Sequence, residues 1–475
     1  MTDYTASTLR EQNVLIDFVR WLDSHGETSW DHQSFFAGAV GRHAKSLYYR
    51  HSLLGTAAVA PMILFEAFLP SARRLFHHPT RFPIADAHYA MGFAFLYELT
   101  SDSRHLQHAT QFLDQLVAAR SPAFQEYCWG YPFDWVTRNG ILKEQTPLIT
   151  TTPYCYEAFL QVSELLADHG PLTTDHGLQR AEDGGRPPAQ QGYGVPVRTE
   201  DGRFGHRSSV IGRQDLLDEY KQILQSIARH AAHDIKDFKT SETASSCSYT
   251  PYDEGGVINA AAYRAFLLTS ASQLSSNDEY WRIAERNLNF VLENQNADGS
   301  WFYAVDGVRD FVDHYHTCFV MKALAKIHAL TDHDATLDAL GKGVSYYLNN
   351  LFDTDGLPKP FAKAPRLTVY KRELYDCAEC INLCLLLRDR FPQLETTLKT
   401  VVQGILKDWI KADGSFRSRR LHFGWDNIPM HRWGQAQMFR ALALYLRETS
   451  RPDVSDQKSD VSDQKSAIRS LSSVV

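Results

Sequence analysis

Apolar residues recur along most of this chain with the three- and four-residue spacing of amphipathic helices. Clear stripes of this kind run through residues 15–22, 112–117, 216–227 and 283–292. Helices that bury one face show this periodicity, whereas half-buried strands alternate every second residue. The pattern therefore predicts about a dozen or more helices between residues 8 and 450, and it contains no convincing long strand.

One turn recurs between these predicted helices. A helix ends, an Asp-Gly pair follows, and a short aromatic or apolar segment comes next, at Asp298-Gly299, Asp355-Gly356 and Asp413-Gly414. The glycine supplies the left-handed backbone needed to leave a helix, and the aspartate can bond its own backbone. The spacing of about 57 residues indicates a repeat of helical hairpins. Such hairpins closed into a ring would leave a central funnel lined by their end loops.

Three boundaries divide the chain. Residues 1–29 are predicted to form an N-terminal helix, and residues 30–450 the helical ring. Within the ring, residues 168–213 are rich in Gly, Pro, Gln, Arg and Asp, so we expect a mobile insertion there. Residues 451–475 repeat Val-Ser-Asp-Gln-Lys-Ser and are expected to be a disordered, low-complexity tail.

Composition excludes some functions. Hydrophobic residues make up 44% of the 475 residues and charged residues 22%, which is enough to bury a sizeable core. The formal net charge is -7 and there is no long basic block, so nucleic-acid binding is not expected. No Walker-type or dinucleotide-binding glycine loop occurs in the sequence, and no cofactor is expected.

The chain start and the cysteines favour the cytoplasm. No basic region followed by an apolar run occurs at the N-terminus, and the seven cysteines are scattered and odd in number. Reduced thiols in the cytosol are the simplest interpretation. The most apolar stretch, Leu53 to Pro70, contains Pro61 and Glu66, which favours a buried helix pair over a membrane span. Peripheral contact with the inner membrane stays open.

Residues Gln295 to Trp301 (Gln-Asn-Ala-Asp-Gly-Ser-Trp) resemble the turn motif of the six-hairpin α/α toroid superfamily. That superfamily includes terpenoid cyclases, glycosidases, polysaccharide lyases and the catalytic domain of glucuronyl C5-epimerases. The resemblance implies an all-α, (α/α)6-type toroid with a central funnel. The acidic Asp-x-Asp-Asp motif of the terpene cyclases is missing from this sequence, which argues against that branch.

Longer segments at 81–89, 127–135, 150–157 and 313–317 resemble bacterial proteins encoded with exopolysaccharide and capsule biosynthesis genes. This resemblance spans roughly residues 30–450. It implies a free, lipid-linked or nucleotide-linked sugar as substrate, and the polysaccharide-assembly machinery at the inner membrane as a partner. It brings no agreed reaction.

Aromatic and ionisable residues are densest between 127 and 157. Aromatic rings stack on the C–H faces of sugars, and a carboxylate or arginine bonds hydroxyls or a uronate. The candidates there are Tyr127, Trp129, Tyr131, Asp134, Trp135, Arg138, Glu144, Tyr154, Tyr156 and Glu157. In the competing interpretation, Trp129 packs in the core and Asp134 caps a helix.

Three further clusters precede predicted helices. Asp253 and Glu254, with Asn259 and Tyr263, could act as acid, base or cap. Asp313, His314 and His316 follow; histidines two apart do not share a helix face, which argues for a proton-transfer histidine, or one bracing loops, over a metal pair. The third cluster contains Trp425, Arg432 and Gln435, and its Trp-Gly-Gln run is similar to the last inner helix of glucuronyl C5-epimerases.

Weaker signals lie elsewhere. Asp86 and His88 open a helix and are expected to reach the funnel, while Cys377, Cys380 and Cys384 are interpreted as core thiols. A basic and aromatic patch at residues 42–50 is interpreted as a solvated helix face, with contact to anionic lipid as the alternative.

We expect proton abstraction at a uronate, as in C5 epimerisation or β-elimination, which needs a base, an acid and a group that neutralises the carboxylate. The candidate catalytic residues are Asp134, Tyr154, Tyr156, Glu157, Asp253, Glu254, Tyr263 and His316. The candidate substrate-binding residues are His88, Trp129, Trp135, Arg138, Asn259, Asp313, His314, Trp425, Arg432 and Gln435. Two rivals remain: a glycosidase using Asp134 and Glu254, and a non-catalytic saccharide-binding scaffold.

Overall fold

A computed structural model describes residues 2–168, 197–198, 204–205, 212–365 and 367–450 of the chain. The helices are α1 (Thr2–His25), α2 (Ser34–Ala37), α3 (Ala39–Arg50), α4 (Ser52–Phe68), α5 (Pro83–Thr100), α6 (Ser103–Ala118), α7 (Thr152–Asp168), α8 (Arg213–Arg229), α9 (Ile258–Ser275), α10 (Asp278–Glu293), α11 (His314–Thr331), α12 (Asp334–Asn350), α13 (Leu374–Leu387), α14 (Leu394–Asp408) and α15 (Ala436–Ser450). The predicted insertion falls almost wholly outside the described residues, and the predicted tail falls entirely outside them.

Short strands connect the helices. They are β1 (Trp135–Thr137), β2 (Gly140–Leu142), β3 (Val197–Arg198), β4 (Phe204–Gly205), β5 (Asp237–Lys239), β6 (Ser245–Cys247), β7 (Val312–Asp313), β8 (Phe361–Lys363), β9 (Tyr370–Glu373), β10 (Arg419–Leu421) and β11 (Trp425–Asp426). They form antiparallel pairs, and β11, β10 and β9 form a three-stranded sheet. Several of these pairs lie directly before a helix, so they shape the loops at helix starts.

The helices form a closed double ring. In the described part of the chain, six inner helices contact one another in the order α5, α7, α9, α11, α13 and α15, and α15 returns to α5. These inner helices are buried on nearly every face, as expected for helices enclosed on both sides. The outer helices α6, α8, α10, α12 and α14 each follow an inner partner and pack against it. The predicted all-α toroid of helical hairpins is confirmed.

The first helix completes the outer ring. Helix α1 packs on α15, and Phe18 stacks on Phe416 at 5.1 Å and on Phe439 at 5.2 Å between ring centroids. The chain therefore closes its ring by joining its beginning to its end, which adds contacts of very long sequence separation. The domain division at residue 29 stays a prediction.

The recurring Asp-Gly turns have the predicted geometry. Gly299 has φ +92° and Gly414 has φ +89°, both in the left-handed region. The Asp298 carboxylate accepts a hydrogen bond from the Ser300 amide at 3.0 Å, and Asp413 does the same for Ser415 at 3.0 Å. These turns follow the outer helices α10 and α14. A Cβ at Gly299 would meet the Lys342 carbonyl at 2.4 Å, so the turn also needs glycine for close packing on α12.

Between α1 and α5 the chain forms a side unit of α2, α3, α4 and the short 3₁₀ helix Pro70–Leu75, with its own small core. That core consists of Phe35, Ala44, Val59, Met62 and Ala72. Two buried ion pairs join the unit to the β9–β11 sheet: Glu66 with Arg419 at 2.6 Å, and Arg73 with Asp426 at 2.8 Å. Across the described residues, no helix is both long and apolar enough to cross a bilayer.

Candidate functional site

The N-terminal ends of the inner helices gather at one end of the ring. Because each inner helix is followed by an outer helix that returns the chain, the inner helices run in the same direction. The loops that precede them therefore surround one opening. Backbone N–H groups at these helix starts have no partner within the helix, so polar groups and ligands are favoured there.

Half-buried aromatic side chains line this opening, and we call them the aromatic wall. It consists of Tyr131, Trp135, Tyr249, Tyr303, Tyr315, His316 and Trp433. On one side, the Tyr131 and Trp135 ring centroids lie 5.4 Å apart. On the other, the His316 centroid lies 4.6 Å from that of Tyr303 and 4.3 Å from that of Tyr315. Rings arranged in this way offer faces for sugar C–H groups.

Arg432 closes the aromatic wall between its two sides. Its guanidinium carbon lies 4.3 Å from the Tyr131 ring centroid and 5.0 Å from that of Trp433. Its Nε donates to Asp31 Oδ2 at 2.7 Å, and Asp31 is fully buried. Arg432 is thus held in place by a carboxylate and two aromatic rings, and much of its charge is already balanced.

A histidine and a carboxylate are paired at the start of α11. Asp313 caps this helix, since its Oδ1 accepts from the His316 amide at 3.1 Å. Its Oδ2 lies 2.6 Å from His316 Nδ1. Asp313 therefore orients the imidazole, and the bond at Nδ1 leaves Nε2 to face a ligand. The His316 side chain retains 19% of its exposure, whereas that of Asp313 retains 1%.

Asp376 on α13 is a buried carboxyl group with no partner. Its exposure is 0%, and neither carboxyl oxygen has a hydrogen-bond partner in the described part of the chain. Burial raises the pKa of Asp376 well above its ordinary value, and the nearby charges of Glu373 and Asp313 raise it further. This shift favours the protonated form of the carboxyl group, which can donate a proton.

Two tyrosines lie one layer deeper. The hydroxyl oxygens of Tyr154 and Tyr263 are 2.6 Å apart, which joins α7 to α9. Phe319 packs on both rings, at 6.3 Å from Tyr154 and 5.3 Å from Tyr263 between centroids. The Lys322 ammonium approaches the Tyr154 hydroxyl at 3.5 Å. Burial raises the pKa of both tyrosines well above the ordinary value, so both stay protonated.

Charged side chains fill the centre of the ring below these tyrosines, and we call them the central charge cluster. It consists of His88, Glu157, Lys322, Lys326, Glu379 and Arg440, all buried. Lys322 pairs with Glu379, and Lys326 pairs with Glu157. The cluster thus holds three cations and two carboxylates. One cation of the cluster is therefore not matched by a carboxylate within it.

His88 is the histidine of the cluster, and its pKa is affected by the surrounding cations. Burial lowers the pKa of His88 well below its ordinary value, and the positive charges of Arg440 and Lys322 lower it further. The pKa of Glu157 is also lowered: burial opposes this, but Lys326 and Arg440 outweigh it. A neutral histidine and an ionised glutamate are what a positive environment favours.

The structure brings several sequence-predicted residues together in this funnel. Trp135, Asp313, His316 and Arg432 lie at its wall, and Tyr154, Tyr263, His88 and Glu157 lie below. Asn259, at the start of α9, has a buried side-chain oxygen with no partner among the described residues. Their chemical roles stay predictions.

Other predicted residues occupy the rim loops. Asp134 pairs with Arg42 at 3.2 Å and Lys143 at 3.5 Å, beside a cavity of about 380 Å³. The Asp253 carboxylate accepts from the Tyr249 amide at 2.8 Å and the Gly255 amide at 2.9 Å, which stabilises its own turn. Glu254 and Arg138 are exposed.

A third group packs between helices. Trp129 is fully buried and donates to the Leu116 carbonyl at 2.7 Å. The His314 ring faces α12, with Nε2 2.7 Å from the Tyr347 hydroxyl. Tyr156, Trp425 and Gln435 bond or pack against Ser270, Trp409 and the Phe416 backbone, respectively. In these positions the side chains bond or pack between elements of the ring.

Sequence reasoning identified His88 and Glu157 but missed Lys322, Lys326, Glu379 and Arg440 at the ring centre. His316, Phe319, Lys322 and Lys326 follow one another at three- or four-residue spacing, so they share one face of α11. Charged residues within largely apolar helices, such as Glu379 between two cysteines, were the available signal. Within the described ranges, no group of three or more His, Cys, Asp or Glu side chains is placed to hold a metal ion.

Comparisons with solved structures identify the fold. A heparin-specific unsaturated glucuronyl hydrolase matches with a TM-score of 0.52 at 10% identity, covering 79% of this chain and 89% of that one. Cellobiose 2-epimerase from Bacillus thermoamylovorans B4167 matches with a TM-score of 0.51 at 9% identity, covering 78% and 90%. Unsaturated glucuronyl hydrolase from Bacillus sp. GL1 matches with a TM-score of 0.50 at 10% identity, covering 78% and 86%. No family model and no curated protein sequence matches the chain.

Proposed function

We propose that this chain is a carbohydrate-active enzyme that moves a proton at a sugar carbon, as in epimerisation or β-elimination. The observation that carries this proposal is the Asp313–His316 pair at 2.6 Å, set among the rings of the aromatic wall. A histidine held by a carboxylate and still open to solvent is suited to general base catalysis.

His316 is the base in this mechanism. Asp313 accepts the hydrogen bond at Nδ1, so the lone pair at Nε2 takes the proton from the sugar carbon. The resulting imidazolium is stabilised by the Asp313 carboxylate, which lies 2.6 Å away. The tight cap at the start of α11 fixes the ring before the substrate arrives.

Asp376 is the acid. Burial and its acidic neighbours raise its pKa, which favours the protonated form, and it lies on α13, next to α11 in the ring. In epimerisation, Asp376 donates its proton to the opposite face of the carbon. The proton taken up by His316 then returns to Asp376 through solvent, so both groups regain their starting protonation states. In elimination, Asp376 protonates the leaving oxygen as the C–O bond breaks. Each route balances one proton removed with one proton supplied.

The substrate is proposed to be an anionic saccharide. A carbon acid beside a carboxylate develops negative charge when it loses a proton, and fixed positive charge stabilises it. The central charge cluster carries that excess positive charge just below the tyrosines. Arg138 and Arg432 are the candidate substrate-binding arginines, but Arg138 is exposed and Arg432 is bonded to Asp31, so we assign this role to the cluster.

Surface-polysaccharide biosynthesis in the cytoplasm is the proposed setting. It rests on the resemblance of four segments to exopolysaccharide- and capsule-associated proteins. The substrate would be a uronate-containing precursor, carried on a lipid or a nucleotide, and the partner would be the assembly machinery at the inner membrane. Solved proteins with this fold include a cellobiose epimerase and glucuronyl hydrolases, which supports a saccharide substrate.

Isotope exchange tests the reaction. The protein is incubated with uronate-containing oligosaccharides in deuterated water, and the products are followed by NMR and ultraviolet absorption. Deuterium at C5 indicates epimerisation, and an unsaturated product indicates elimination. If neither appears with wild-type protein while sugar binding persists, the scaffold interpretation replaces this proposal.

Glycoside hydrolysis is the second candidate, and the observation that favours it is the buried, unpaired carboxyl group of Asp376, whose pKa is raised by burial. A glycosidase needs a protonated carboxyl group as acid. The pair expected from the sequence, Asp134 and Glu254, is less suited, because Asp134 is neutralised by Arg42 and Lys143 and Glu254 is exposed. Release of reducing ends that is lost in Asp376→Asn but kept in Asp134→Asn would support hydrolysis with Asp376 as acid.

A further inference from the structure

The side unit exposes an unusually apolar surface. Helix α4 is uncharged from residue 52 to residue 65, and Leu53 is 86% exposed, Leu54 66% and Leu64 57%. At the end of α4, Phe68 is 63% and Leu69 53% exposed. We call these five residues the apolar face. Contiguous exposed apolar patches on soluble proteins mark interaction sites.

Neighbouring elements extend the apolar face. Phe423, at the β10–β11 turn, stacks on Phe68 with 5.9 Å between ring centroids and is itself highly exposed. Leu367 is 98% exposed, and its loop reaches the same turn, because His422 Nε2 lies 3.0 Å from the Thr368 carbonyl. Three separate chain segments therefore present large apolar side chains in one region.

The charge around the apolar face has one sign. Between residues 32 and 85 the basic side chains are Arg42, Lys45, Arg50, Arg73, Arg74 and Arg81, and the acidic one is Glu66. Arg42, Arg73 and Arg81 are paired with Asp134, Asp426 and Asp86, respectively, so these three add little net positive charge to the surface. Glu66 is buried and paired with Arg419, so it adds no exposed negative charge. Arg50 and Arg74, together with His43 and His51, are exposed. The whole chain carries a net charge of -7, so this basic region is a local exception.

We infer that α3 and α4 dock on an anionic lipid bilayer surface. Exposed leucine and phenylalanine side chains enter the boundary between headgroups and acyl chains, while arginines bind lipid phosphates. The occupant must be both apolar and anionic, and a bilayer rich in acidic lipid has both properties. A second copy of this chain would bring like charges together at the same face.

Docking would also place the funnel. Glu66 of α4 bonds Arg419, and Arg419 bonds Glu373, the residue before α13. The side unit is thus fixed to the end of the ring at which the aromatic wall lies. A bilayer bound at the apolar face would lie beside the opening, which suits a saccharide carried on a membrane lipid. Docking itself does not depend on the proposed reaction.

Vesicle flotation of the full chain tests the inference. We expect the protein to float with vesicles of phosphatidylcholine and phosphatidylglycerol, and at least about tenfold less with phosphatidylcholine alone, because arginine contacts with acidic lipid supply much of the binding. Leu53→Glu combined with Leu64→Glu should abolish flotation. Ile16→Glu, at an exposed position on α1, is the matched control and should leave it unchanged. Arg50→Gln with Arg74→Gln should weaken binding, whereas Lys399→Gln on α14 should not.

A label reports insertion directly. The seven native cysteines are buried, so Leu54→Cys can be labelled selectively with an environment-sensitive dye. A blue shift on adding acidic vesicles, absent for labelled Ile16→Cys, supports docking. The inference is overturned if folded wild-type protein does not float with acidic vesicles. It is also overturned if light scattering shows a dimer that Leu64→Glu dissociates while vesicle binding is unaffected.

Discussion

His316 and Asp313 form a hydrogen-bonded pair one turn apart at the start of α11, with 2.6 Å between Nδ1 and Oδ2. The same aspartate caps the helix through its other oxygen at 3.1 Å. One carboxylate therefore fixes both the helix start and the direction of the imidazole. Oδ1 of Asp313 therefore holds the start of α11, while Oδ2 orients the imidazole that we propose as the catalytic base.

The first prediction concerns His316. His316→Gln keeps a polar side chain of similar size but removes the base, so kcat should fall about 10²- to 10⁴-fold with little change in Tm. Steady-state kinetics on the substrate found by isotope exchange measures this. His328→Gln, on the far part of the same helix, is the control and should keep wild-type kcat. A His316→Gln variant with normal kcat would remove this residue from the chemistry.

The fold could be predicted from the sequence because the patterns that indicate it lie within short stretches of the chain. Apolar stripes define the helices, and the turns at Gly299 and Gly414 show where hairpins repeat. Once the hairpins form, closing them into a ring buries the apolar inner helices on both sides. The pairing of α1 with α15 was not accessible, since no local pattern joins residues 18 and 439.

The site was only partly accessible for the same reason. Residues at helix starts, such as Asp313 and His316, could be recognised because polar and aromatic residues cluster there in the sequence. Lys322 and Glu379 are charged residues in largely apolar helices, and only the closed ring shows that they meet. Conversely, Trp129 has the composition of a sugar platform, but it is a packing residue whose burial depends on distant segments.

The second prediction concerns Asp376 and stability. Its folded pKa is raised by burial and by Glu373 and Asp313, so between about pH 4 and that raised pKa the folded state binds more protons than the unfolded state. Stability from this group is full below about pH 4 and is lost as pH rises. Asp376→Asn should therefore abolish turnover while raising Tm relative to wild type at neutral pH. Calorimetry across this range measures the difference, and a lower Tm in the variant at every pH would contradict it.

The third prediction concerns His431, whose Nδ1 lies 2.5 Å from the Tyr89 hydroxyl. Burial, then the charges of His25 and Arg81, lowers the pKa of His431 to about 3. The unfolded chain takes up a proton below about pH 6.5 and the folded chain does not, so stability falls on acidification. We expect a loss of about 1.4 kcal/mol for each pH unit between these values.

Urea unfolding at several pH values measures that slope. His431→Gln should flatten it, and His51→Gln, at an exposed position, should keep the wild-type slope. An unchanged slope in His431→Gln would show that other groups dominate the acid response.

The fourth prediction concerns Trp433. Its ring centroid lies 5.0 Å from that of Tyr375, and its indole N–H has no partner among the described residues. Trp433→Phe keeps the aromatic face but removes this donor, so KM should rise about fivefold, equivalent to ~1 kcal/mol, with kcat nearly unchanged. Trp409→Phe, in the packing outside the wall, should lower Tm and leave KM unchanged. Equal effects of both substitutions on KM would argue against a ligand contact at Trp433.

The last prediction concerns the buried pair of Glu157 and Lys326. Burial lowers the pKa of Lys326, with Arg440 and Lys322 acting in the same direction, so its ammonium depends on Glu157. Glu157→Gln leaves that charge unbalanced and should cost about 3–5 kcal/mol of unfolding free energy. The double variant Glu157→Gln/Lys326→Met removes both charges and should recover part of the loss. Asp17→Asn, which breaks the exposed pair with Arg20, should cost about 0–1 kcal/mol. Strictly additive effects of the two central substitutions would mean that the charges are not coupled, and the positive field proposed to stabilise the substrate anion would lose its basis.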